Sequence, residues 1–112
     1  MKIAIIGAGN GGGGLPRRAR VVKALNTVRA GRCTSSSEDG RPLDASLAGD
    51  DAQATSSVSA FVTSLGLRPV DLGGLRMART LEELALANIS LDARNGWTWQ
   101  SAFRLVGPQT AA

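Results

Sequence analysis

The sequence predicts an α/β domain with a small parallel or mixed sheet and two main helices. Three observations support this prediction: an apolar β-branched run precedes a glycine-rich turn, further strand-like runs follow, and two later segments have helical periodicity. The predicted order, β–β–β–α–β–α without internal repeats, is typical of α/β chains. At 112 residues, the chain is long enough for one small domain and too short for two ordinary ones.

The N-terminal part is predicted to contribute two strands and a long loop. Residues 2–6 and 20–25 are short apolar runs rich in β-branched side chains, which favours strands. Between these runs, four consecutive glycines and Pro16 disfavour a helix. Residues 29–42 contain glycine, serine and proline without an apolar period, so a loop is expected there.

The first helix is predicted to follow a strand over residues 44–48. Asp50 is the expected N-cap, because Gln53 follows at the spacing of a capping box. Gly66 is the expected left-handed stop of this helix. One apolar stripe with a period of 3.6 residues is formed by Ala54, Val58, Phe61, Val62 and Leu65.

A strand over residues 67–72 and a second helix over 75–91 are predicted next. The apolar surface of this helix is wider than one stripe, and such a surface is usually covered on more than one side. A homo-oligomer in which a second subunit covers this helix is therefore expected. Residues 97–106 are expected to add a short helical piece, and Gly107 to begin a frayed tail.

The residue types that are missing exclude several kinds of active site. The chain has no histidine and one cysteine, Cys33, which excludes Ser-His-Asp and Cys-His machinery, a Cys/His zinc site and an internal disulfide. Cys33 is interpreted as an inert loop thiol, and no metal site is expected. The apolar run at the N-terminus is too short for a signal peptide, so a cytoplasmic location is expected.

Charge is distributed unevenly along the chain. The formal net charge is +4, and the first 37 residues hold seven of the 13 basic side chains and no acid. This basic segment suits an anionic partner such as a phosphate, although a solvated face without a dedicated partner fits equally well. Nucleic acid is not expected, because the segment has no aromatic side chain to stack on bases and no known nucleic-acid motif.

The glycines at the start of the chain match the fingerprint of a dinucleotide-binding turn. Gly7-x-Gly9-x-x-Gly12 directly follows the first predicted strand, where such glycines allow a tight turn and close approach of a diphosphate. Two expected companions are missing. A crossover helix of at least ~10–12 residues is absent, and the residues with the spacing of a ribose-reading group, Arg32, Thr34 and Ser35, fall in the predicted loop.

Four ordered segments resemble one enzyme family. MKIAIIGAGN, ARVVKALNTV, the AGDDAQAT helix start and the RPVDLGGLR region resemble NADP oxidoreductases that use the deazaflavin coenzyme F420. The resemblance implies a truncated Rossmann-like NAD(P)-binding domain in which a large internal deletion, joined at residues 11–16, has removed the central strands. Its expected parts are the glycine fingerprint (1–14), a basic strand and loop (15–42) and an α/β C-terminal portion (43–106).

The resemblance also implies a function and a set of cofactor-binding residues. The implied reaction is hydride transfer between NADP(H) and a deazaflavin or similar acceptor, impaired by the deletion, with no catalytic acid, base or nucleophile from the protein. Asn26 and Thr27 are expected near the nicotinamide or deazaflavin, although Asn26 could instead be a turn residue that ends a strand. The residues expected to bind the rest of NADP are Gly7, Ala8, Gly9, Asn10, Gly11 and Gly12.

Other readings stay open from the sequence. The chain could be a non-catalytic remnant that acts as a small self-associating α/β module. Asp50 and Asp51 form a possible carboxylate pair, but helix capping accounts for them. Trp97 and Trp99 could stack on a flat cofactor or provide hydrophobic cover for the tail.

Overall fold

The computed structural model describes residues 2–6 and 20–107, which form a mixed sheet with two helices. This confirms the predicted fold class. In chain order, the elements are β1 (Ile3–Ile6), β2 (Arg20–Ala24), β3 (Ser37–Glu38), β4 (Arg41–Pro42), β5 (Asp44–Gly49), α1 (Ala52–Ser64), β6 (Arg68–Asp71) and α2 (Ala78–Asn95). The glycine fingerprint at residues 7–12 lies outside the described residues.

The main sheet has four strands in the order β1-β2-β5-β6. β1 is parallel to β2, and Ile6 is paired with Lys23. β5 runs antiparallel to β2 and parallel to β6. Because β1 and β2 are parallel and in this register, both strands end at the same edge of the sheet. Ligands bind at this edge in parallel α/β sheets.

The core lies between the sheet and α1. Its buried side chains are aliphatic, as the scarcity of aromatic residues in the sequence requires. The members are Val22, Ala24, Leu43, Ala45, Leu47, Ala54, Val58, Val62 and Leu67. Of the apolar stripe predicted on α1, Ala54, Val58 and Val62 are buried, whereas Phe61 is 47% exposed.

The N-terminus of α1 is capped by Asp51, so the prediction of Asp50 was wrong by one residue. The Asp51 carboxylate accepts a hydrogen bond from Ala54 N (2.9 Å) and pairs with Arg20 (2.7 Å). Asp50 Oδ1 instead accepts from Leu75 N (2.8 Å), across a sequence gap of 25 residues. The backbone N–H of Ala54, and then the guanidinium of Arg20, lower the pKa of Asp51 below its ordinary value of 3.8.

Two further segments differ from the prediction. Residues 29–42, predicted as loop, contain a 3-10 turn (Ala30–Arg32) and a ribbon of β3 paired with β4. Residues 97–106, predicted as helical, are irregular and lie against the start of β5, where Phe103 O accepts a hydrogen bond from Asp44 N (3.2 Å). Contacts with a distant part of the chain therefore outweigh the local helical tendency of this segment.

The second helix is longer than predicted. A 3-10 turn (Leu75–Met77) leads into α2, which ends at Asn95 with Gly96 in the left-handed conformation (φ 64°). Across residues 2–6 and 20–107, no helix combines the length and the apolar character needed to span a membrane. The assignment of separate roles to 1–14, 15–42 and 43–106 stays a prediction.

Candidate cofactor-binding site

Asn26 and Thr27 lie directly after β2, at the sheet edge where β1 ends. They are 8% and 5% exposed, respectively. Leu25, which precedes them, has a positive φ of 65°, a conformation that is strained for a bulky side chain. The strained residue ends the strand and lets the chain turn so that both polar side chains are buried. Backbone strain of this kind is frequent at functional sites.

The two side chains make hydrogen bonds to different parts of the fold. Asn26 Nδ2 donates to Leu81 O (3.0 Å) in α2, and Thr27 Oγ1 accepts from Ser46 N (3.4 Å) in β5. Asn26 Oδ1 is buried and has no hydrogen-bond partner among the described residues. A buried acceptor without a partner costs about 1–3 kcal/mol, so this oxygen is a candidate contact for a ligand.

A cleft of about 230 Å³ opens beside Asn26 and Thr27, between the end of β2 and α2. It is lined by Asn26, Thr27, Val28, Arg29, Ala85, Asn88 and Ile89. Arg29 provides a second buried atom without a partner in the described part of the chain, Nε. Two residues of the lining, Asn26 and Arg29, thus each have a buried polar atom without a partner in the described part of the chain, one an acceptor and the other a donor.

Arg29 is held in place by α2 and by the segment after it. Its Nη2 pairs with Asp92 (2.9 Å), whose side chain is fully buried. The guanidinium also lies over the ring of Trp99, 5.2 Å from the ring centre, a favourable cation–π geometry. The Asp92 carboxylate offsets the charge of Arg29 and leaves Nε as the donor that lacks a partner.

Ser101 connects this pair to Asn88. Ser101 Oγ lies 2.6 Å from both Asp92 Oδ1 and Asn88 Oδ1, and its single proton can be donated to only one of them at a time. Asn88 Nδ2 donates to Ser101 O (3.3 Å). These contacts fix the irregular segment after α2 against the helix and hold Trp99 near Arg29.

Sequence reasoning missed Arg29, Asp92 and Ser101 as parts of the site. Asn88 and Asp92 are spaced by four residues and continue the buried stripe of Leu81 on α2. Two polar residues on a buried helix stripe are a signal of a buried polar network, and this signal was available in the sequence. Their partner Arg29 lies 63 positions from Asp92, a separation that helical periodicity does not reveal.

The other residues that were singled out from the sequence make contacts within the fold or lie outside the cleft. Arg32 is buried and pairs with Glu38 (2.7 Å), so it is not available to read a ribose phosphate. Thr34 Oγ1 donates to Gly31 O (3.3 Å), and Cys33 is a half-buried free thiol. Trp97 lines a separate small cleft with Leu91. Across the residues that the structure describes, acidic and thiol side chains form no cluster able to hold a metal ion.

Comparison with known proteins finds solved structures that are similar to part of this chain. No protein-family model matches the sequence, and no curated protein matches it significantly. Among solved structures, a protein of Arthrobacter sp. FB24, provisionally assigned as an F420-dependent NADP reductase, matches with a TM-score of 0.69 and 30% identity over 80% of this chain. A hypothetical protein of Sinorhizobium meliloti matches with a TM-score of 0.50 and 36% identity over 54% of the chain.

The chain spans 41% of the Arthrobacter protein and 30% of the Sinorhizobium protein. The first value is consistent with the internal deletion expected from the sequence. The structural match covers most of the chain, including regions that carry the sequence resemblance. The predicted resemblance is confirmed: over four fifths of its length, this chain is similar in fold and sequence to the Arthrobacter protein that is provisionally assigned as an F420-dependent NADP reductase.

Proposed function

We propose that the chain is an NADP-dependent oxidoreductase of the F420-dependent reductase type. It would transfer hydride between NADP(H) and a deazaflavin or similar acceptor, with activity reduced by the missing central strands. The observation that carries the proposal is a cleft at the end of β2 in which two lining residues, Asn26 and Arg29, each have a buried polar atom (Oδ1 and Nε) without a partner among the described residues.

The hydrogen-bonding groups of these two residues suit the carboxamide of a nicotinamide. A carboxamide has N–H donors, which suit Asn26 Oδ1, and a carbonyl acceptor, which suits Arg29 Nε. The charge of Arg29 is offset by Asp92, so the site does not strongly repel the positively charged ring of the oxidised cofactor. The donor set and the charge balance therefore both suit this group.

The size of the cleft limits what it holds. Sites that enclose a drug-sized ligand occupy roughly 300–1,000 Å³, and this cleft of about 230 Å³ suits a single ring system. The diphosphate would then lie elsewhere along the same sheet edge. By resemblance it is assigned to Gly7, Ala8, Gly9, Asn10, Gly11 and Gly12, which directly follow β1 in the sequence.

The nicotinamide, when bound, supplies the hydride chemistry. Asn26 and Arg29 would orient its carboxamide, and Thr27 would keep the turn attached to β5 through its contact with Ser46. Val28, Ala85 and Ile89 line the cleft with apolar surface, which limits access of water to the ring. None of the residues that line the cleft is an acid or a thiol, so they bind and orient without proton transfer.

Titration of the purified chain with NADPH tests the proposal. We expect micromolar binding by calorimetry, and about tenfold weaker binding for Arg29→Lys, which keeps a cation for Asp92 but lacks Nε. Arg79→Lys is the matched control, because Arg79 is an exposed arginine on α2 away from the cleft. Absence of binding at millimolar NADPH would leave the non-catalytic module as the better description.

Hydride transfer to the deazaflavin, followed by absorbance, tests the reaction itself. We expect slow turnover, because the resemblance implies that a large internal deletion has removed central strands of the domain. Self-association through α2 also stays a prediction. Leu86 and Ile89, three positions apart on α2, are exposed and lie on one side of the helix, which a second copy of the chain would cover.

A further inference from the structure

A second cleft, of about 470 Å³, lies between β4, the start of β6 and the segment that follows α2. It is lined by Arg41, Pro42, Arg68, Arg104, Leu105, Val106 and Gly107. It shares no lining residue with the cleft beside Asn26. Its three titratable lining residues are all arginines, which makes it a candidate site for an anion.

Arg68 is fixed within this cleft. Its Nε and Nη2 pair with the two carboxylate oxygens of the buried Asp44 (2.6 and 2.8 Å), and Nη2 also donates to Leu105 O (2.6 Å). Asp44 Oδ2 accepts a further hydrogen bond from Leu105 N (2.5 Å). Asp44 thus offsets the charge of Arg68 and holds the wall of the cleft in place, so binding would order little of this wall.

The other two arginines retain their charge for a ligand. Arg104 Nη1 donates to Glu38 O (3.0 Å), a neutral backbone acceptor that positions the guanidinium. Arg41 is exposed and forms no ion pair with any residue in the described part of the chain. Among nearby acids, the Glu38 carboxylate is paired with Arg32, and Asp39 is exposed in the turn between β3 and β4.

We propose that this cleft binds the phosphate dianion of a small phosphomonoester. Arg41 and Arg104 supply two guanidinium groups, which match the oxygens of a phosphate and form strong charge-assisted hydrogen bonds. Leu105 and Val106 are 58% and 76% exposed beside these groups. They provide an apolar surface for the organic part of the ligand. The proposal is independent of the NADP assignment, because the two clefts are lined by different residues.

Phenyl phosphate and inorganic phosphate are suitable probes, since they differ in the apolar group. In titrations of the full chain followed by amide NMR shifts, we expect both to bind and phenyl phosphate to bind more tightly. The amides of Leu105, Val106 and Gly107 should shift. Arg41→Gln and Arg104→Gln should each weaken phenyl phosphate about tenfold, the range of one charge-assisted hydrogen bond. Arg68 is left intact because it also holds the fold together.

Arg79→Gln is the control, since it removes the same charge from an exposed position outside the cleft. Its affinity for phenyl phosphate should stay within about twofold of the unmodified chain. An equal loss in this control would show general attraction to a basic surface and overturn the proposal. Displacement of phenyl phosphate by NADH, which has no phosphomonoester group, would also overturn it, because the cleft would then belong to the cofactor site. Thermal unfolding of each variant confirms that it is folded.

Discussion

The two helices of this chain bury different kinds of side chain. Of the four α1 residues that are buried, three are apolar (Ala54, Val58 and Val62) and the fourth is Thr55. The buried residues of α2 are Leu81, Asn88 and Asp92. The apolar face of α1 stabilises the sheet, whereas α2 places a polar network beside the candidate cofactor cleft. Burial of polar groups costs free energy unless they are paired, and Asn88 and Asp92 are paired with Ser101 and Arg29, so the buried side chains of α2 fix the residues beside the cleft.

The largest effect that tests this difference between the helices is expected from removing the buried carboxylate of α2. Asp92→Ala should destabilise the chain by about 3–5 kcal/mol, because Arg29 is then left largely buried without its partner. It should also weaken NADPH binding, since Arg29 loses the contact that orients it. Urea unfolding measures the first effect and calorimetry of NADPH binding the second.

Val62→Ala on α1 is the matched control for this prediction. It removes two buried methyl groups and should cost about 2 kcal/mol, from the transfer of roughly 0.8 kcal/mol per carbon plus a cavity contribution. Its affinity for NADPH, measured at a temperature where both variants are folded, should be unchanged. Equal loss of NADPH affinity in the two variants would mean that α2 is no more closely connected to the cleft than α1.

The helix ends offer a finer comparison, because both helices are followed by a left-handed glycine. Gly66 has φ +83° and Gly96 has φ +64°, and an alanine in this conformation costs about 1–2 kcal/mol. A Cβ at Gly66 would lie 2.5 Å from Ser36 Oγ, whereas one at Gly96 meets nothing within 4 Å. Gly66→Ala should therefore destabilise the chain more than Gly96→Ala in urea unfolding.

The excess at Gly66 should disappear when the hydroxyl is removed as well. In the Ser36→Ala background, Gly66→Ala should cost about as much as Gly96→Ala, since the strained backbone conformation is then the common cause. A persistent difference between the two glycines in that background would show that the Ser36 contact is not the reason.

The sequence predicted those elements whose cause is local. The apolar period of α1, the strand-like runs and the glycine after α1 follow from neighbouring residues alone. The irregular course of 97–106 was not predictable in this way, because it depends on Asp44 and Arg68, which contact Leu105 from far along the chain. The capping role of Asp51 instead of Asp50 depends in the same way on Leu75.

The residues of the candidate site also fall into two groups, those identified from the sequence and those that were missed. Asn26 and Thr27 were identified because they lie in a segment that resembles a family motif, and their role in binding a cofactor stays a prediction. Arg29 and Asp92 were missed because their pairing joins a loop to a helix across most of the chain. The binding role of Gly7, Ala8, Gly9, Asn10, Gly11 and Gly12 stays a prediction that the NADPH titration addresses.

The smallest expected effect concerns the start of α1, where the cap is a titratable group. The pKa of Asp51 is lowered in the folded chain, so its contribution to stability is complete above its ordinary value of 3.8 and is lost as the pH falls through the lower folded value. Asp51→Asn keeps a good cap without a titratable group. Its midpoint of thermal unfolding should therefore fall less steeply than that of the unmodified chain as the pH is lowered from 5 towards the acid range.

Arg20→Gln separates the two causes of this pKa shift. The hydrogen bond from the N–H of Ala54 is the largest single cause of the lowered pKa, and Arg20 contributes through both a hydrogen bond and its charge. This variant keeps the N–H while removing the ion pair, so it should retain part of the acid dependence that Asp51→Asn loses. If Arg20→Gln instead flattened the pH profile as completely as Asp51→Asn, the ion pair between β2 and α1, and not the helix cap, would be the main source of the acid sensitivity at this end of the helix.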